Sequence, residues 1–200
     1  MGETQELLVA NDEYLKSGIH IGTKFKTKYM ANFIYKTRND GLSVLNIQQI
    51  DDRLRILSTF LANYAPEDIT VVCRRESGWK PVKLFGKLTG AKVFAGRYPP
   101  GVLTNSALGS YMETKVMLVV DAWPDRNAVL DAVKVGVPVA AFCDTNNQSN
   151  YLDLVVPCNN KGKKSLGLAF YILTREYMQK RGLTDASKPF TCTVDDFTEK

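Results

Sequence analysis

What the chain lacks narrows its chemistry first. It holds a single histidine, His20, and four cysteines, Cys73, Cys143, Cys158 and Cys192, that lie far apart with no CxxC or CxxH spacing. Zinc ligation therefore has no support in the pattern. Cys73 and Cys143 sit in apolar runs, where a free cysteine behaves as a small buried hydrophobe, and reduced thiols are expected. No apolar run approaches the roughly 18 to 20 residues of a membrane helix; VMLVV and VPVAAF are only strand-sized. The opening MGETQELLVANDEYL carries acids and no base, so the positive n-region of a secretory signal is missing. Glu6 also stands where a myristoylation motif needs Ser or Thr. A cytoplasmic chain with no membrane partner is expected. Neither GxGxxG after a strand nor GxxxxGK followed by Ser or Thr occurs, so the glycine loops that cradle cofactor phosphates are absent. No cofactor, metal or small-molecule substrate is expected.

What is present is a chain of 200 residues with 44% apolar side chains, enough for one substantial core. After a short helical opening, GIHIGTKFKTKYM reads as an extended basic loop. NFIYKTR and LSVLNI follow as two β runs, separated by Asn39, Asp40 and Gly41, a turn whose Asp-Gly step suits a hairpin. Ile50, Leu54, Leu57, Leu61 and Tyr64 then recur at helical spacing until Pro66. Beyond that point, the apolar runs ITVVC, KVFAG, KVMLVVD, VPVAAFCD and LDLVVP alternate with helical patterns. The helical patterns are GWKPVKLFGKLTG, DRNAVLDAVKVG and KSLGLAFYILTREYMQKRG. Near-continuous Val, Ile and Leu strands, each followed by an amphipathic helix, predict a mainly parallel sheet covered on both faces. The expectation is a three-layer α/β/α, doubly wound domain over residues 1–183, with an N-terminal β-hairpin. Residues 184–200 are expected to be a C-terminal tail ordered only against a partner.

Few residues offer chemistry. Asp121 and Asp144 end strands, as acids of nucleotide-binding folds do, yet capping the next turn is the better account of them. His20 lies between Ile19 and Ile21 with no serine or cysteine motif to pair with, so a general base is not supported. The segment NNKGKKS precedes a helix and could offer amides to an anion, or be a solvated lysine loop.

Charge distribution says more than the net +5. Lys16, Lys24, Lys26, Lys28, Lys36 and Arg38 have no acid between them. The stretch from Arg74 to Arg97 holds seven bases against Glu76, and Lys161, Lys163, Lys164, Arg175, Lys180 and Arg181 face only Glu176. Met112 to Val156, by contrast, carries six acids against three bases. Tyr29, Phe33, Tyr35, Trp79 and Tyr98 lie among the bases as stacking candidates. Phosphate neutralisation by such clusters is the sequence-independent part of RNA binding. A solvated face is the plain alternative.

Three ordered motifs decide between them. GIHIGTKFKTKYMANFIYKTRNDGLSVLNI, RYPPGVLTN and VVDAWPDRNAVLDAVKVGVPVAAFCDTNNQSNYLDLVVPCNNKGKKS resemble the small-subunit ribosomal protein S2 family, which includes the laminin-receptor-precursor ribosomal protein of eukaryotes. The resemblance covers about residues 5 to 182. It implies a flavodoxin-like fold, no catalysis, and a structural role in the small subunit, bound to its rRNA and to other ribosomal proteins, supporting assembly and translation. On that pattern the RNA-contact candidates are Lys24, Lys26, Lys28, Lys36 and Arg38, then Arg97 and Lys161, Lys163 and Lys164. Bacterial members carry a helical hairpin after Leu-Thr-Asn; here Thr104 and Asn105 run into SALGSYMETKVMLVV, which implies the archaeal or eukaryotic branch. The acidic tail of animal members is not expected in a sequence that stops at Lys200, and the laminin role is not implied.

Overall fold

The strands are the apolar runs, and the helices lie between them. In the computed structural model, which describes residues 7–184 and 189–198, the chain runs α1 (Asn11–Ser17), β1 (Ile34–Thr37), β2 (Ser43–Leu45), α2 (Ile47–Ala62), β3 (Ile69–Cys73), α3 (Trp79–Thr89), β4 (Lys92–Ala95), β5 (Val116–Val119), α4 (Arg126–Lys134), β6 (Val139–Cys143), β7 (Leu154–Pro157), α5 (Lys163–Lys180) and α6 (Val194–Phe197). β1 and β2 form the antiparallel hairpin, with an irregularity between Ile34 and Lys36. The other five strands make one parallel sheet in the order β4-β3-β5-β6-β7. β3, β5 and β6 are buried along their whole length, as parallel strands covered on both faces must be.

The order reverses at β3: α3 carries the chain one way to β4, and β5 then starts on β3's other side. Right-handed crossovers in the two directions put α3 and α4 on opposite faces. α5 packs against α2, α3 and α6, and its apolar residues run almost all the way round, from Leu166 to Phe170 and on to Tyr177. A helix of that composition belongs in the interior rather than on a surface. Phe170 joins the layers, its ring 5.4 Å from Phe142 of β6 and 6.0 Å from Phe85 of α3. α2 starts where Asn46 accepts a hydrogen bond from the Gln48 amide at 3.0 Å, and its Ile50, Leu54, Leu57 and Leu61 are the buried stripe that the periodicity predicts.

Two elements differ from expectation. β6 and β7 are parallel, yet residues 144–153 join them without a helix; a run of Asp, Asn, Thr, Gln and Ser favours side-chain-bonded turns over helix. The segment after α5 is not bare of contacts with the domain. Thr193 and Asp196 form a capping box that starts α6, Phe197 is fully buried, and the Thr198 carbonyl accepts from Lys80 Nζ at 2.6 Å. A lone buried Phe carries the docking, which no periodicity over so short a stretch reveals. Residues 185–188, 199 and 200 of the expected tail, like residues 1–6, lie outside the described residues. Residues 101–115 form turns rather than a helical pair, with Val102 and Leu103 buried and the Gly101 amide donating to Asp131 of α4 at 2.9 Å.

The N-terminal segment is fastened by one buried carboxylate. Asp51 of α2, fully buried, accepts from the Leu8 amide at 2.8 Å, the Tyr14 hydroxyl at 2.7 Å and Arg55 Nε at 2.8 Å. Burial, and then Asp51, hold the Tyr14 phenol well above its ordinary range. Asp51→Ala strips three donors of their acceptor, and a loss of about 3 kcal/mol is expected in denaturant unfolding. At Gly167 of α5 an added Cβ meets Thr198 Oγ1 at 2.6 Å and the Phe197 carbonyl at 3.3 Å. The helix gain of Gly167→Ala, about 1 kcal/mol, is smaller than the roughly 1.5–3 kcal/mol of burying a Phe. Faster hydrogen exchange confined to residues 189–198 is the expected result.

Candidate nucleic-acid interface

In a doubly wound sheet, ligands occupy the crevice beyond the carboxyl ends of the strands where the order reverses. Here that place lies between the ends of β3 and β5, and the chain's own side chains fill it. Asp121, directly after β5, is about 1% exposed. Its Oδ2 accepts from Arg75, which follows β3, at 2.5 Å, and its Oδ1 from Asn147 Nδ2 at 2.8 Å and the Trp123 amide at 3.1 Å. Asn147 Oδ1 takes the Asp144 amide at 2.9 Å and Asn160 Nδ2 at 3.1 Å. Asp144, equally buried, accepts from Lys161 Nζ at 2.8 Å and from the Thr145 amide at 2.6 Å. Both acids are thus committed to structure, and the crevice is closed by protein.

The basic loop lies across one end of this network. Gly22 is buried because no side chain fits: a Cβ there would collide with the Thr145 methyl and sit 3.0 Å from the Ser43 carbonyl. The Gly22 amide donates to that carbonyl at 2.9 Å, the Ser43 amide donates to the Thr23 carbonyl at 3.1 Å, and Ile21 bridges Val44. The loop is thereby added to the hairpin as a third, irregular strand. On its other side the Thr23 amide donates to Thr145 Oγ1 at 2.9 Å, the Thr27 amide to the Thr145 carbonyl at 2.9 Å, and Thr27 Oγ1 to the Asn147 carbonyl at 3.0 Å. Lys24, Lys26 and Lys28 are exposed on this pinned segment, as is Phe25, at about 81%.

The other candidates distribute along the same rim. Lys36 and Arg38 are exposed on the hairpin next door, Arg38 in a surface pair with Asp40 at 3.4 Å, an interaction worth little in water. Arg97, after β4, is exposed and shares a small polar cleft with Arg74, Tyr98 and Asn127. Lys163 and Lys164 open α5, the helix that follows β7, and both are exposed. Lys161 stands among them half-buried, and its ammonium is neutralised by Asp144. Its own amide and that of Gly162 are also engaged, both donating to Asn159 Oδ1, at 3.1 and 3.2 Å. The rim thus carries cations beyond the ends of β4, β3, β6 and β7, with Arg126 opening α4 after β5.

Among the described residues nothing in this geometry supplies a reacting group. Burial pushes the Cys73 thiol up to about 12 and raises Cys143 and Cys158 well above the ordinary thiol value, so none of the three is a nucleophile at neutral pH. His20 Nδ1 is buried without a partner among the described residues, and among those residues no group of three His, Cys, Asp or Glu could hold a metal. No helix among them is long and apolar enough to cross a membrane. Residue patterns overlooked Thr23, Thr145 and Asn147, which place the loop, and Arg75, which sat unmarked in its cluster. Only the repeated pairing of short polar residues in GTKFKT and DTNNQ hinted at them.

Fold and rim together define a doubly wound binding scaffold whose ligand crevice has been sealed and whose cations face outward. The family described as Ribosomal protein S2 matches residues 108–179. The small ribosomal subunit protein uS2 of Picrophilus torridus is 45% identical over 193 residues, 96% of either chain. That of Nanoarchaeum equitans is 45% identical over 98% of this chain and 97% of its own, and that of Ignicoccus hospitalis 46% identical over 98% and 93%. The chain belongs to the uS2 family, in its archaeal-type branch.

One titration is accessible beside the rim. Burial raises Asp125 to about 6, despite the bond it accepts from the Arg74 amide at 3.0 Å. A carboxyl whose folded value lies above its unfolded one favours the fold at low pH and loses that contribution as pH rises through about 6. Asp125→Asn keeps an acceptor and carries no charge. It is expected to stabilise the protein by on the order of 2 kcal/mol at pH 8, the gain fading between pH 6 and pH 4. Equal gains at both ends, in urea unfolding, would remove burial as the cause.

Proposed function

We propose that the chain is a structural, non-enzymatic constituent of the small ribosomal subunit in the cytoplasm, bound to small-subunit rRNA and to neighbouring ribosomal proteins. Its near full-length similarity to proteins that bear that name carries the reading. The sealed crevice and cationic rim supply its physical means. Lys24, Lys26, Lys28, Lys36, Arg38, Arg97, Lys163 and Lys164 neutralise RNA phosphates, while Lys161 meets the same face with its charge already balanced by Asp144. The pinned loop matters most, because its backbone is held at both edges before RNA arrives and little ordering remains to oppose binding.

Sedimentation of the tagged protein through a sucrose gradient tests the role. Co-migration with the small subunit, lost after ribonuclease treatment, is expected; a free species in both conditions contradicts it. Lys24, Lys26 and Lys28 changed together to Ala should flatten the log-log salt dependence of RNA binding by roughly two to three units, given about 0.7–0.9 per phosphate contact. An unchanged slope takes the loop out of the interface.

A further inference from the structure

We infer that the groove between Trp123 and Tyr151 is a pocket for an unpaired RNA base, set beside the phosphate-binding rim. The inference rests on the RNA-binding reading above and adds a second kind of contact to it. Trp123 is about 74% exposed and Tyr151 about 60%, so both rings forgo much of the burial that makes aromatic side chains a main source of folding energy. Between them lies a groove of about 360 Å³, floored in part by Val129 and Leu130 and edged by Arg126, Gln148 and Asn150.

Three features select a nucleobase. The groove has aromatic walls on which any base can stack. Its rim has two primary amides, each able to donate to and accept from a base edge, and one guanidinium for the adjoining phosphate. No acid lines it, so no carboxylate faces a polyanion inside the groove. Its position is set by the sealed crevice: the Trp123 amide donates to Asp121 Oδ1 at 3.1 Å, and Gln148 follows Asn147, whose carbonyl accepts from Thr27 of the lysine loop. A strand running along Lys24, Lys26 and Lys28 therefore passes beside the link whose Gln148 lines the groove. Tyr151 is the one non-glycine residue with positive φ among those described, at 65°. Such backbone is retained where surroundings hold it and clusters at ligand clamps, and here it belongs to an exposed ring at the groove's edge.

Duplex RNA keeps its bases stacked, whereas single strands and bulges offer them, and this separates the pocket from the rim. The full chain carrying Trp79→Phe retains Trp123 as its only tryptophan. Titrated with a 12-nucleotide single-stranded RNA and with a blunt duplex of the same sequence, it should show Trp123 emission quenched by the single strand and left nearly unchanged by the duplex. Trp123→Ala should weaken single-strand binding roughly 5- to 150-fold with the salt slope and duplex affinity unaltered, and Trp123→Phe should recover most of the loss. Unquenched emission with RNA affinity intact through the lysine loop overturns the base pocket and leaves the groove to a protein neighbour. Equal loss of single-strand and duplex binding in Trp123→Ala overturns it too. Failure of every variant and of the parent to bind either RNA refutes the RNA reading itself.

Discussion

Two carboxylates buried at the ends of parallel strands set the terms for the rest of this molecule. Asp121 and Asp144 are both nearly inaccessible, and an isolated charge in such a place is untenable. Their partners arrive from different connections: Arg75 from the end of β3, Asn147 from the helix-free link between β6 and β7, Lys161 from the turn before α5. Removing a partner from a buried pair costs about 3–5 kcal/mol, a sizeable share of the roughly 5–15 kcal/mol that holds a whole domain. The loops are consequently parts of one polar assembly.

That assembly decides what kind of protein the fold becomes. A doubly wound sheet ordinarily keeps its switch point open to a small ligand; filling it with Asp, Asn, Arg and Lys gives up that possibility and stiffens the strand-end surface. Cations consumed inside, such as Lys161, stop acting at a distance. Those left outside, on the pinned loop and at Arg97 and Lys164, act within about a Debye length, roughly 8 Å at physiological salt. What the strand-end surface then offers is outward charge and exposed rings such as Phe25 and Trp123.

The architecture was largely readable from residues because the physics is local. Val71, Val72, Leu118 and Val119 sit in strands buried on both faces, and their runs say so; the Asn39–Gly41 turn marks the hairpin; α5 betrays its burial by the unbroken uncharged run from Leu166 to Leu173. What escaped reading is nonlocal. The polar 144–153 link looks like any loop until β7 is seen pairing in parallel with β6, and Phe197 has no neighbour in sequence to suggest that it would reach α5. In the interface, the lysine clusters were visible as charge, but that Lys161 is neutralised could not be known without Asp144 beside it. Trp123 went unmarked because a single Trp-Pro step has no periodicity. Only three-dimensional proximity to Tyr151 gives it meaning.

The ties between residues 22–27 and residues 145–147 span some 120 positions of chain. Until β6 has taken its place in the sheet, Thr145 and Asn147 are not where Thr23 and Thr27 can reach them, and the lysines between have no fixed arrangement to present. The loop consequently works as a report that folding has been completed. A half-folded copy carries the same charges but not their geometry, so the arrangement of this loop distinguishes finished protein from unfinished.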